Sequence, residues 1–503
     1  MVRIHGPSLG LAALALVSTS SRCRAESTAT SSASGACPTV LVPSYQAPVV
    51  AGGYVAQLIA TGLKRPRGIL IDSNGALLVV QQGSGIVHLK LSDHGGTCVS
   101  VQKSTTLVND SSLNHGIELS KDGKTLYASS DDKVFSWAYD SAAVSVSGKR
   151  TLIQNMTNSD HVSRTLLLSR KAPDLLLVSR GSSENVDAGA AVLANGRSVI
   201  RAFNISNVTD TPYDFPSQGK LLGWGLRNSV GVAEEPQTGG IFSVENSADQ
   251  MRRDGEDIHE NNPGEEMNFH GFLNGSTEHQ GGNYGYPHCF ALWDKNIPNA
   301  GNLTVGNQFA PDPDYSESQD RSCLNDYVPP RLTFQAHMAP LDIKFTPDGS
   351  LAYITFHGSW NRDKPAGYKL STVAFADGQP VDAPDSTTAV SDVLSNADTS
   401  ACPGKCFRPV GLAIDTAVGG RVFMTSDSTG EIYAIQRAEV SATGSGGGGS
   451  KSSSGGGTLV TSTTTGTHNA APALRTGRTD GWLFAALTVG LMVVGGWVFA
   501  AAF

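Results

Sequence analysis

One phrase recurs six times along the chain: a short polar entry, an alternating apolar run, a Gly-centred turn, and a second apolar run. The copies open at Arg65, Asn114, Ser163, Asn228, Pro340 and Arg408. Apolar residues at every second position predict strands with one buried face. The intervening Asn74-Gly75, Asp122-Gly123, Gly239-Gly240 and Asp348-Gly349 pairs predict hairpin turns. One such unit cannot bury its apolar face alone, so a repeat of blade length predicts a closed ring of small sheets. The expected fold is all-β, a six-bladed β-propeller spanning roughly Tyr54 to Gln436. In that architecture one loop from every blade meets at a single axial pocket.

The 503 residues carry a net charge of −8, and no dense Lys/Arg stripe interrupts them, which excludes a nucleic-acid surface. Residues 1–25 pair Arg3 with an apolar stretch from Leu9 to Val17 and a small-x-small end at Cys23-Arg24-Ala25, the pattern of a secretory signal peptide. The propeller domain is then residues 26–438. Of the seven cysteines, six remain after Ala25, and an even set in a secreted chain predicts disulfides. Closing the nearest loops gives Cys37–Cys98, Cys289–Cys323 and Cys402–Cys406, with a metal or redox role for the last pair as the alternative. Asn-x-Ser/Thr sequons at Asn109, Asn155, Asn204, Asn207, Asn274 and Asn302 agree with export. A Gly/Ser/Thr-rich linker at 439–480 predicts a disordered C-terminal stalk. Small residues at Asn469-Ala470-Ala471, a polar spacer and the apolar tail at 481–503 match a glycosylphosphatidylinositol signal, a retained transmembrane tail being the alternative. The protein is thus expected outside the cell, at the surface, touching membrane only through this anchor.

Loops that enter the innermost strands line the axis of a propeller. Their polar residues are Arg65, Arg67, Asn114, His115, Asp160, His161, Arg164, Arg227, Asn228, His337 and Arg408. Several guanidinium groups and histidines at equivalent positions predict a positive pocket in an acidic protein, suited to a planar polyanion. Turns at the far end of the second strands, including Arg180-Gly181, 245–249, 357–362 and 425–427, should lie at the same mouth. Their oxygen-rich composition suits a hard cation, with ordinary Asx turns as the plain alternative. A long excursion from Gln250 to Gln335 interrupts the repeat between blades four and five and is expected to form a lid or rim. Glu256 and His259 within it are a weaker candidate metal pair.

Five linked motifs carry a resemblance: Asp160-His161-x-x-Arg164, Gly225-Leu226-Arg227-Asn228, Glu245-Asn246-Ser247-Ala248-Asp249, Gly281-Gly282-Asn283-Tyr284-Gly285-Tyr286-Pro287 and Arg408-Pro409-Val410-Gly411. Together they resemble the soluble quinoprotein sugar dehydrogenases, six-bladed propellers that bind pyrroloquinoline quinone (PQQ) and Ca2+. The phrases Leu113-Asn114-His115-Gly116 and His357-Gly358-Ser359-Trp360-Asn361-Arg362 resemble more narrowly the fungal pyranose and L-sorbosone dehydrogenase branch. The resemblance implies His161 as general base and Arg227 beside the quinone oxygens. It implies Asp160, Arg164, Asn228, Arg362, Arg408, His115 and Trp360 around the cofactor, and the backbone carbonyls of Ser247 and Ala248 on Ca2+. Bacterial members carry Gly-Pro at these last two positions, and an Asp that orients the base where this chain has Arg180-Gly181, so His161 needs another orienting partner. The implied reaction is oxidation of a pyranose or related sugar. Fungal relatives can carry a haem domain that these residues lack, so the expected electron acceptor is external, such as a cytochrome domain on another protein. A non-catalytic cell-surface propeller that binds a carbohydrate or protein is the alternative. A Ca2+-dependent lactonase would need an axial cage of acidic side chains, which the arginine-rich axis opposes.

Overall fold

The computed structural model describes residues 37–438. The signal peptide at 1–25, residues 26–36 of the predicted propeller domain, the stalk at 439–480 and the tail at 481–503 lie outside the described residues. Six sheets of four to six strands form the six predicted blades, antiparallel except for a short parallel pair at the outer edge of the second and third. Their innermost strands are Pro66–Ile71, Leu113–Leu119, Leu166–Leu168, Ser229–Glu234, Pro340–Phe345 and Pro409–Asp415. Each runs from the axial mouth to the opposite face, then turns, at a Gly in every blade but the third, whose turn is residues 169–174. At the first turn Gly75 takes φ 76°, while Asp72 accepts from the Asn74 and Ala76 N–H groups, each at 2.9 Å. A positive φ costs glycine little, and the Asp holds the turn's free donors.

The ring closes through the inner strands and once at the edge. A Cβ on Gly68 would lie 2.3 Å from the His115 carbonyl, one on Gly116 2.2 Å from that of Arg164, and one on Gly411 2.4 Å from that of Arg67. These three contacts are backbone against backbone and admit no side chain. Elsewhere hydroxyls bridge neighbouring blades: Thr165 donates to the Val230 carbonyl, and Thr355 to that of Val410. The N-terminal strand Tyr54–Ala60 pairs with Glu431–Arg437 to complete the last blade. First and last parts of the chain thereby share one sheet, which leaves no open gap in the ring.

The excursion differs from expectation. It lies inside blade four, because Glu265–Phe272 and Leu332–Phe334 are that blade's third and fourth strands. The inserted loops are therefore 246–264 and 273–331. All three expected disulfides are present: Cys37–Cys98, Cys289–Cys323 and Cys402–Cys406. The second anchors the helix Glu317–Asp326 in the longer insertion.

Candidate active site

The loop before the third inner strand carries His161 at φ 39°, a backbone state that costs a non-glycine residue about 1–2 kcal/mol. Arg164 holds the loop in that state. Its side chain is fully buried; Nη1 donates to the His161 and Ser163 carbonyls, both at 2.7 Å, and Nη2 to the Met156 carbonyl at 2.5 Å. Its two terminal nitrogens are spent on backbone carbonyls, while Nε has no partner in the protein. Burial, helped by Arg180, pulls its pKa down to about 9.

Ser182 is the partner of His161 that the sequence left unnamed. His161 Nδ1 lies 2.8 Å from Ser182 Oγ and 3.2 Å from the Ser182 carbonyl. The hydroxyl donates to the Glu184 carbonyl at 2.8 Å, and a carbonyl accepts only. Nδ1 therefore carries the proton and Nε2 keeps the lone pair. Burial first, and the neighbouring Arg227 charge second, depress the His161 pKa to about 4, so the ring is neutral at pH 7. Asp160, largely exposed, sits 4.0 Å from Nε2 and accepts from the His161 N–H at 2.8 Å. Gly181 lets these groups converge, because a Cβ there would lie 2.5 Å from Asn228 Oδ1 and 2.8 Å from His161 Cβ. An Asp at this position has no room. Arg180 instead lies under the loop, bound to the Thr157 and Gly196 carbonyls at 2.9 and 3.0 Å.

Arg227 is joined to the same unit, since its carbonyl accepts from the Ser182 N–H at 2.8 Å. Its guanidinium is held by the Asn185 carbonyl and Oδ1, both at 2.9 Å, by the Asn246 carbonyl at 3.1 Å, and by Asp249 at 3.5 Å. Asp249 also faces His337 Nδ1 at 3.3 Å, and His337 Nε2 donates to the His259 carbonyl at 2.5 Å. Burial opposes charge on His337, but the Asp249 bond and the nearby Glu265 outweigh it and raise its pKa.

Across the mouth, Asp427 receives Arg67 Nη1 at 2.7 Å and His357 Nε2 at 2.8 Å. Arg67 Nη2 reaches Ser163 Oγ at 3.5 Å. Arg408 donates to the His357 and Gly358 carbonyls at 3.1 and 2.8 Å and lies 5.5 Å over the Tyr368 ring. His161, Arg227 and Arg408 therefore share one rim, reached from blades three, four and six. Trp360, two residues past Gly358, has 65% of its surface exposed. Arg362 does not join the group. Its fork holds the inserted loop through the Glu260 carbonyl and Asn261 Oδ1, and its Nε binds the Lys364 carbonyl. Arg362 thus braces the inserted loop, as Arg164 braces the loop that carries His161.

Two groups here suit ligands the fold family implies. No donor among the described residues reaches the Ser247 or Ala248 carbonyl oxygens, while Glu265 holds the loop by accepting from Ser247 N–H at 2.7 Å and Ala339 N–H at 2.9 Å. Free carbonyls on a fixed loop are hard-cation ligands. Buried Arg67 Nε and His115 Nδ1 have no partner in the protein, and polar groups left so are costly unless a ligand or water meets them. Both sets fit Ca2+ and a planar polyanion. Among the described residues, no three His, Cys, Asp or Glu side chains cluster as an alternative metal site, and His259 pairs with Asp257 rather than Glu256.

Residues 48–438 match the family model described as TrAA12-like. The chain belongs to this family. A relative from Hypocrea jecorina, named a pyrroloquinoline quinone-dependent sugar dehydrogenase, is 50% identical over 409 residues, covering 80% of this chain and 92% of that protein. A pyrroloquinoline quinone-dependent pyranose dehydrogenase from Coprinopsis cinerea is 37% identical over 80% of this chain, which spans only 56% of that longer protein. Among solved structures, a calcium structure of the Trichoderma reesei carbohydrate-active enzyme family AA12 is similar at TM-score 0.78 and 51% identity, over 80% of this chain and all of that one. The holo form of the Coprinopsis PQQ domain is similar at TM-score 0.74 and 35% identity, over 80% and 99%. Both structural comparisons cover 80% of this chain.

Proposed function

We propose that the chain is a PQQ- and Ca2+-dependent dehydrogenase that oxidises a pyranose or related sugar outside the cell. The observation that carries this reading is the neutral His161, its Nδ1 proton committed to Ser182, fixed beside Arg227 at a cationic mouth. The names and cofactors of the relatives support it. When bound, PQQ supplies a quinone that accepts hydride and Ca2+ a Lewis acid that polarises it.

The chain's own residues do the rest. His161 Nε2 takes the proton of the sugar hydroxyl, a role that needs a neutral imidazole with a fixed tautomer. Arg227, buried and held from four sides, presents positive charge that stabilises negative charge developing nearby without moving to do so. Arg67, Arg408 and Asn228 hold anionic groups of the cofactor, and Trp360 offers a flat apolar face at the entrance. The Ser247 and Ala248 carbonyls hold the cation. Electrons leave to an external acceptor such as a cytochrome domain, and the C-terminal anchor keeps the exchange at the cell surface. The non-catalytic reading draws on the Ser247-Ala248 change and on the missing orienting Asp; the Ser182 contacts to His161 Nδ1 favour the catalytic reading.

Reconstitution tests it. Adding PQQ and Ca2+ to cofactor-free protein should give dye-linked sugar oxidation that a Ca2+ chelator removes and Ca2+ restores. His161→Ala should lower that rate by about 10²-fold or more while the PQQ absorption band persists. Absence of cofactor binding under these conditions overturns the proposal.

A further inference from the structure

Sugar oxidation breaks a carbinol C–H and its O–H and forms C=O. The two electrons pass by way of the cofactor to the acceptor, and two protons must reach solvent. The mouth that receives sugar and acceptor is one exit for them. The axis offers another. The catalytic groups sit at the start of the inner strands, and those strands are mostly six or seven residues long, a path of about 20 Å at ~3.3 Å per residue.

Midway lies a cavity of about 30 Å³ walled by His115, Ile117, Thr165, Asp342 and Lys344. A polar cavity needs roughly 10–15 Å³ to hold a water, so this one clears the requirement. His115 is 5% exposed and its Nδ1 meets no protein partner; burial first, then the Arg67 and Lys344 charges, hold its pKa well below the usual imidazole range, so it meets that water as a neutral ring. Lys344, tied to Asp342 at 3.0 Å, and Ile69 also line a second cavity of about 500 Å³. That bowl is formed by the far ends of the same strands and contains Glu118, so the two spaces adjoin along the axis.

We propose that the propeller axis is a proton exit, in which water between His115 and Lys344 links the catalytic mouth to the bowl on the opposite face. This rests on the dehydrogenase reading for its protons, but the water column stands on the cavities alone. Ile117→Phe fills the small cavity and Lys344→Met removes the polar group shared by both; neither residue touches the catalytic groups.

With each variant, folding is checked by thermal melting and cofactor binding by the PQQ band. In stopped flow, cofactor reduction by sugar should match the parent. Turnover with acceptor should fall about tenfold, its solvent isotope effect should rise, and added imidazole should restore part of it. A crystal of the cofactor-free protein should show ordered water between His115 and Lys344. Unchanged acceptor turnover in two folded variants overturns the proposal, and so does a dry axis. A parent protein that binds no PQQ removes the dehydrogenase reading instead, and the crystal alone then decides whether the water column exists.

Discussion

Ser182 binds both halves of the proposed catalytic pair: its hydroxyl and carbonyl hold His161 Nδ1, at 2.8 and 3.2 Å, and its N–H donates to the Arg227 carbonyl at 2.8 Å. Base and cation are therefore spaced by one residue rather than by separate loops. Ser182→Ala keeps the two backbone links and deletes the shorter bond to the ring. A net hydrogen bond is worth about 1 kcal/mol, so stability should fall only by that order. Rapid reduction of bound cofactor by sugar should slow by about tenfold, equal to ~1.4 kcal/mol of barrier. An unchanged reduction rate would show that the carbonyl alone orients the base.

The pH dependence follows from burial of the base. The unfolded imidazole titrates near about 6.5, and in the folded protein His161 is pulled down to about 4 by burial and Arg227. The neutral form thus persists well into acid, and kcat/KM should stay on a plateau from neutrality to about pH 5, then drop with unit slope near 4. The same shift links to stability: its contribution is complete above about pH 6.5 and is lost as pH falls through the folded pKa. Proton-coupled loss of activity centred near pH 6.5 would place the base in open solvent.

The six inner hairpins were legible because strict alternation and glycine turns are local signals. The third and fourth strands of blade four were not, since Glu265–Phe272 carries two buried glutamates, Asn268 and His270 where alternation would call for apolar residues. Closure by Tyr54–Ala60 on Glu431–Arg437 joins residues far apart in the chain and leaves no local mark. At the mouth, motif and entry position located His161, Arg227, Asn228 and Arg408. Arg164, Arg362 and Arg408 look the same in sequence and all donate to backbone carbonyls that only the tertiary fold brings to them, but Arg164 is fully buried and Arg408 is not. Ser182 directly follows Arg180-Gly181, and its role depends on a serine reaching across a glycine that composition cannot distinguish from an ordinary turn.

Arg164 and Arg408 should accordingly separate in their effects. Arg164→Met removes the fork that braces the His161 loop and leaves the His161, Ser163 and Met156 carbonyls without their donors. A penalty of about 3 kcal/mol is expected from losing a buried hydrogen-bond network, read as a marked fall in Tm of the cofactor-free protein. Arg408→Met, half-buried with one face on Tyr368, should cost less in Tm and more in PQQ affinity, measured by titrating the cofactor band. Equal losses of affinity with unchanged Tm would return Arg164 to the pocket wall.

Gly181 gives the sharpest steric test. A methyl group there would lie 2.5 Å from Asn228 Oδ1 and 2.8 Å from His161 Cβ, both inside contact distance, so one of the two must move. Asn228 has its carbonyl committed to the Asn246 N–H at 3.0 Å, and His161 is held by Ser182 and by Arg164 through its own carbonyl, which leaves little slack on either side. Overpacking of this kind costs about 1–3 kcal/mol, and the displaced groups are the proposed base and a proposed cofactor contact. Gly181→Ala should therefore fold, with Tm lowered by a few degrees, while sugar-dependent reduction falls by about 10²-fold, the loss expected from a displacement near 1 Å. Full activity in Gly181→Ala would mean that His161 and Asn228 stand farther apart in solution than the close approach across this glycine requires.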